Sequence, residues 1–464
     1  MKLLGLLAPL GVFGAYTLAV ILLTGPGFVW NENRRRFYLA GRGAGLWASV
    51  ATFGATWMSA ASLLGYPESF FWDGMVAFGG AVNGWLLGLL PLPWIVAVLR
   101  RSRALSLPEW IGKTFDDPRL RRLTAAALLL AYVLYILIQF RSFGGAVSHL
   151  LGIRYAVGAS ALVYLFVLYT TFGGMPSVIR SDVLNFWLIV VGVTVAAVVA
   201  VGRVGGVEVL VRRLATEAPE LLNPAAPWEV LGGMAAMTLG WGLGVAANPQ
   251  YAVRILSARS PRVALGMLAI VPFFLGVIYL GLTAFAATGR LVAAPVLRQG
   301  GEAAFLHMVS MVLPPAPASL FLVALIAAAV STANSQLLLA ASSFCYDLMD
   351  RWRTTLPEDI FLFRNRLAVT VIATLALGGS LLPFPDILTV GRFSWTVVAL
   401  CFFLPLFWPL SGRRQGLFEA MGLSLVLHGV LVFGLHLPPE GSLLPSLLLE
   451  RLSWRWFSRK GEEA

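Results

Sequence analysis

Apolar runs of about 20 residues alternate with short polar stretches from one end of the chain to the other. A helix needs roughly 20 apolar residues to cross the hydrocarbon core of a bilayer. The pattern predicts spans at 3–24, 45–66, 74–99, 122–149, 155–173, 181–202, 229–252, 263–288, 317–347, 363–382, 386–410 and 415–436. The longest polar stretches, 203–228 and 289–316, then fall on one side, with a short helix over 302–313. Residues 444–458 read either as an interfacial amphipathic helix or as part of a thirteenth span.

Composition sets the class. Charged residues are 12% of 464 and hydrophobic ones 58%, whereas a soluble domain carries roughly 25% charged residues. The chain is an all-α polytopic membrane protein. Its net charge of +12 would suit nucleic acid, but the distribution speaks for topology. Arg34, Arg35, Arg36 and Arg42 follow the first span, and Arg100, Arg101, Arg103, Lys113, Arg119, Arg121 and Arg122 the third. Arg180, Arg254, Arg259, Arg262, Arg351, Arg353, Arg364, Arg366, Arg413 and Arg414 continue the series in alternate loops. That side is cytoplasmic by the positive-inside rule, which places the N-terminus outside a plasma membrane. With twelve spans the C-terminus is also outside, where Arg451, Arg455, Arg459 and Lys460 fit poorly.

Other classes find little support. Cys345 and Cys401 make no metal or redox motif. His149 and His307 lie at span ends or in loops, and His428 and His436 share one span, whereas a haem enzyme wants facing pairs. A sensor would need a signalling domain, and none is present in the sequence. The expected partners are a small solute and the lipid bilayer, with no nucleic acid and no obligate protein; no enzymatic role is expected.

Two stretches interrupt the apolar pattern with small and hydroxyl residues. Ala51 to Gly65 is rich in Gly, Ala, Ser and Thr. Such a helix can unwind, and the carbonyls it frees need a partner that lipid cannot supply; a cation can. Packing of small residues between helices is the competing explanation. In the second stretch, Ala328, Ser331, Thr332 and Ser335 share one helix face, with Asn334 and Gln336 beside them. Hydroxyl oxygens suit a hard cation, although Ser and Thr also bond back to their own helix.

Setting the first span aside leaves two sets of five, each opening with an interrupted helix. The second interruption lies in Gly240–Gln250, where glycines and Pro249 break an apolar run. Paired broken helices point to a midplane transport site, and an odd number of spans per set inverts the second. The fold class is therefore a LeuT-type 5+5 inverted repeat with one extra N-terminal helix and one or two extra C-terminal helices. Its expected parts are 1–30, 44–204, 228–411 and 412–464.

Phe53–Ser59, Tyr169–Gly174 with Asp182, Gly240–Gly244 with Pro249 and Arg254, and Val330–Gln336 with Asp347 resemble the sodium:solute symporter family over about residues 35–410. The wording is most similar to that of pantothenate and monocarboxylate permeases. The resemblance implies Na+ as coupling ion, held by the carbonyls of Ala55, Met58 and Ala328 and the hydroxyls of Ser331 and Thr332. It implies a possible second sodium at Asp182, Asn334 and Ser335, with helix capping as the alternative role for Asp182. Trp57 and Val245 stand where proline-transporting members carry Asp and Tyr, which counts against proline.

For the substrate, Ser59, Asn83 and Trp241 face the central cavity expected of this fold. Arg141, inside the fourth span, is a costly intramembrane charge suited to a carboxylate, with snorkelling to the interface as the alternative. Arg392 is expected to snorkel. A small carboxylate is the expected solute, with an amino acid or other polar solute as the alternative, and a channel or sensor as the alternative class.

Overall fold

The computed structural model describes residues 2–25, 33–102, 104–222, 228–294, 302–349, 354–382, 387–408 and 415–463. The loop residues Arg103, Arg351, Arg353, Arg413 and Arg414, and the boundaries expected at residues 30 and 411–412, lie outside these.

In chain order the helices are α1 (Lys2–Thr24), α2 (Arg34–Leu39), α3 (Leu46–Trp57), α4 (Tyr66–Asp73), α5 (Met75–Arg101), α6 (Leu107–Thr114), α7 (Pro118–Leu151), α8 (Tyr155–Arg203) and α9 (Val207–Glu217). There follow α10 (Trp228–Ala247), α11 (Pro249–Ser257), α12 (Pro261–Ala293), α13 (Glu302–Val312), α14 (Pro315–Ser342), α15 (Glu358–Ser380), α16 (Ile387–Phe407), α17 (Leu417–Gly429) and α18 (Pro439–Glu463). A π-helical turn, Ala61–Gly65, leads into α4, and another, Ser343–Leu348, extends α14. The short helix expected over 302–313 is α13.

Helix α8 holds two of the expected spans. They meet at Gly174, whose φ of +53° leaves the helical region; the approach of Phe37 from α2 leaves no room there for a Cβ. The first repeat is thus α3 with α4, then α5, α7 and the two halves of α8. The second is α10 with α11, then α12, α14, α15 and α16. Helix α14 packs along α7 and α8, α3 and α11 also lie against it, and it is buried along most of its length.

The C-terminus resolves the poor fit of its basic residues. Helix α18 is about 38 Å long at 1.5 Å per residue and runs back antiparallel to α17. The pairing of Ser442 with His428, Ser424 with Glu450 and Phe457 with Gly416 sets that direction. Leu444, Leu448, Leu452 and Trp456 face outward, while Ser442, Ser446, Glu450 and Trp454 face α17 and the core. Polar residues turned inward lower the helix's hydropathy. Among the described residues nine helices are long and apolar enough to cross a membrane, and α18 is not one of them. The C-terminal end of α18 lies beside Phe115, whose ring meets Trp454 at 5.7 Å. That is the side of the arginine-rich loops.

A candidate sodium and substrate site at the two helix breaks

The first break falls between α3 and the π-turn. Trp57 ends α3, and Met58 adopts φ −75°, ψ 123°. A helix end leaves its last carbonyls without intrahelical donors. Here Thr332 on α14 reaches across: its hydroxyl donates to the Met58 carbonyl at 2.9 Å and more weakly to that of Thr56 at 3.4 Å. Ala55 and Ala328 are wholly buried, each about one turn from these groups. Four expected positions of the first cation site, Met58, Thr332, Ala55 and Ala328, thus gather at the contact of α3 with α14.

Ser331, one residue before Thr332, reaches Asp182. Its hydroxyl donates to Asp182 Oδ1 at 2.7 Å. Thr52 donates to Asp182 Oδ2 at 2.5 Å, with Thr56 more loosely placed at 3.4 Å. Asp182 is fully buried within α8 and does not cap a helix end. Arg254 from α11 completes the group, with Nη2 3.2 Å from Asp182 Oδ2. That same nitrogen donates to Thr56 Oγ1 at 2.7 Å and to Ser335 Oγ. Asn334, expected beside Ser335, is one residue and about 100° further round the helix. It lines a small cavity with Gln139, Phe143, Phe166 and Val330 instead. The second grouping therefore contains Asp182, Ser335 and an arginine, with Asn334 on another face.

The second break repeats the first in backbone. Asn248, between α10 and α11, adopts φ −74°, ψ 123°. The cause is Pro249, because the residue before a proline is driven out of the helical region. The glycines do not break the helix. They thin α10 for close contacts: a Cβ on Gly244 would strike Trp395, and one on Gly242 would crowd the Gly84 carbonyl. Asn248 accepts from the Gln250 N–H at 3.0 Å and from the Tyr132 hydroxyl at 2.6 Å.

Three residues of α7 that composition alone did not single out serve both breaks. Tyr132 bonds the second. Tyr135 shares a 3.1 Å hydrogen bond with Ser59, and Gln139 accepts the Ala60 N–H at 3.0 Å, both at the first. Their spacing, i, i+3 and i+7, is a polar stripe on an apolar span, and that signal is legible in the sequence. Gln250 and Gln336 link α11 to α14 at 3.0 Å.

Aromatic rings close the centre. Trp57 lies 4.9 Å from Tyr251 and donates through Nε1 to the Tyr279 hydroxyl at 3.0 Å. Trp241 meets Trp85 edge-on at 5.2 Å and Trp395 at 5.8 Å. Ser59 and Trp241 are buried among these groups. Asn83 is exposed, off the Gly80, Gly84 and Gly88 face that meets α10. Arg141 is only half-buried, and its Nη1 donates to the Leu382 carbonyl beyond the end of α15 at 3.3 Å. Arg392, expected to snorkel, instead pairs with Glu440 of α18 at 2.8 Å. Asp347 serves a separate cluster, held by Arg121 Nε at 2.8 Å and Ser106 Oγ at 2.8 Å.

The model of the sodium:solute symporter family matches residues 37–415. The sodium/pantothenate symporter of Escherichia coli is 28% identical over 454 residues, covering 92% of this chain and 90% of that one. The osmoregulated proline transporter of Bacillus subtilis is 26% identical, covering 89% and 86%. A Na+-coupled sialic acid symporter, solved substrate-bound and outward-open, superposes with a TM-score of 0.84 at 17% identity over 96% of both chains. MhsT in complex with L-phenylalanine superposes with a TM-score of 0.59 at 12% identity, covering 88% and 98%. Both structures carry the fold of the LeuT-type inverted repeat. Motifs, paired breaks and family match converge: the chain belongs to the sodium:solute symporter family, with Na+ as its coupling ion.

Proposed function

We propose that this protein imports a small organic carboxylate, of the monocarboxylate or pantothenate kind, by alternating access coupled to sodium at the first break. Thr332 carries the reading. A hydroxyl on α14 already bridges to the Met58 carbonyl at the end of α3, and both oxygens can turn to a cation placed between them. The proposed ligands are the carbonyls of Ala55, Met58 and Ala328 and the hydroxyls of Ser331 and Thr332. A cation so held ties α3 to α14, and the resulting change in conformational preference couples ion to substrate.

The proposed substrate position is the aromatic centre beside Ser59 and Tyr135. A carboxylate there would take hydrogen bonds from these two hydroxyls and from the Ala60 N–H, now held by Gln139, while Trp57, Trp241 and Tyr251 cover its carbon skeleton. Arg141, bonded to the Leu382 carbonyl, is assigned to the outer rim rather than to this grip. The arginine-rich side is taken as cytoplasmic, with the N-terminus outside and α18 proposed as a thirteenth crossing that brings the C-terminus inside. An amino acid is the second reading, favoured by the likeness to the proline transporter.

The test is a thermal-shift screen of purified protein against organic acids and amino acids, each in sodium and in potassium. Carboxylates that stabilise only in sodium support the proposal. Stabilisation by amino acids alone shifts it to the second reading, and equal stabilisation in both cations contradicts sodium coupling.

A further inference from the structure

The position expected to hold a second sodium holds a guanidinium. Asp182 Oδ2, Thr56 Oγ1 and Ser335 Oγ, contributed by three different helices, all face one nitrogen, Nη2 of Arg254. Both members of the Arg254–Asp182 pair have fully buried side chains. A sodium ion touching these oxygens would compete with Nη2 for the same lone pairs. It would also sit next to a fixed positive charge in a medium that screens poorly. Arginine keeps its charge at any physiological pH, so the position does not empty by deprotonation.

Resting on the sodium symport reading above, we propose that Arg254 is the resident counter-cation of Asp182, filling the second cation position and limiting the transporter to one sodium ion per cycle. Arg254 acts through its neighbours as a positioning residue. Once Arg254 and Thr52 hold Asp182 Oδ2, Asp182 Oδ1 remains to accept the Ser331 hydroxyl hydrogen at 2.7 Å. The lone pairs of Ser331 Oγ are then left for the cation at the first break. The same guanidinium joins α11 to α3 through Thr56 and to the scaffold helices α8 and α14 through Asp182 and Ser335. Both broken helices are thus tied to the scaffold at one nitrogen, independently of any bound ion.

Taking away the guanidinium while keeping the carboxylate leaves a buried negative charge ringed by the oxygens of Thr52, Thr56 and Ser335. Such a site recruits a small cation, because an uncompensated buried charge is costly. The experiment counts ²²Na+ bound per purified transporter at saturation, in wild type, Arg254→Gln and the double variant Arg254→Gln/Asp182→Asn. Expected are one ion in wild type, two in Arg254→Gln and one in the double variant, where no charge calls for a cation. Two ions in wild type overturn the proposal and leave sodium symport intact, as does a folded Arg254→Gln protein that still binds one. If Arg254→Gln does not fold, wild type and the double variant decide: one ion in each supports the proposal, and two in either overturns it. No saturable sodium in wild type instead defeats the symport reading itself.

Discussion

At Met58 the chain leaves its helix with φ −75°, ψ 123°, and at Asn248 with φ −74°, ψ 123°. The same bend is produced by different means and filled differently. At the second break a proline imposes it, and the Asn248 amide with the Tyr132 hydroxyl satisfies the freed donor. At the first break no proline is present. There the freed carbonyls meet one hydroxyl, that of Thr332. At the second break the Gln250 N–H is held by the side chains of Asn248 and Tyr132. A break closed by a rotatable hydroxyl from another helix is poised to exchange that contact for a cation. On the proposed function sodium binds at the first break, while the second is held by the side chains of Asn248 and Tyr132.

Substitutions can break or sharpen this contrast. The largest effect is expected from Ser331→Ala, which removes a proposed ligand oxygen and strips Asp182 Oδ1 of its donor. Hydrogen bonds to charged groups contribute about 1.5–3 kcal/mol, so the sodium concentration for half-maximal uptake should rise roughly 10- to 100-fold. An unchanged value would remove Ser331 from the site. Asn248→Ala should act on the fold rather than the ion. Loss of a cap costs about 1 kcal/mol, visible as a lowered unfolding temperature with sodium affinity kept within about twofold. A large loss of sodium affinity would mean that the two breaks are not distinct. Tyr135→Phe keeps the ring and deletes the bond to Ser59. Substrate KM should rise by about fivefold, the equivalent of ~1 kcal/mol, with ²²Na+ binding to substrate-free protein unaltered. Arg141→Lys should matter least. With its guanidinium on the Leu382 carbonyl, uptake should stay within about twofold of wild type; a collapse of substrate affinity would restore Arg141 to the substrate grip.

Much of the fold was legible because bilayer thickness and backbone satisfaction leave few options. The small-residue stretch 51–65 marked the first break within a few residues. The second was legible through Pro249, although the glycines nearby proved to serve packing. Helix α18 was obscured because Ser442, Ser446 and Glu450 face protein rather than lipid, and hydropathy cannot tell the two apart. The candidate site was harder to read. Asn334 and Ser335 are adjacent in sequence yet point to different neighbours. Arg254 stood in a motif, but its partner Asp182 lies 72 residues away, and nothing along the chain shows that they meet. The depth of Arg141 was likewise hidden, because a span's sequence does not say where its side chain ends.

Sodium bound at the first break would take the Thr332 hydroxyl from the Met58 carbonyl. The most direct test is equilibrium ²²Na+ binding to purified wild-type and Thr332→Val protein without substrate. Valine keeps the shape and removes the oxygen. Saturable binding in wild type, weakened at least about tenfold in the variant, is the predicted result. Equal sodium affinity in two equally folded proteins would contradict it and move the cation away from the first break.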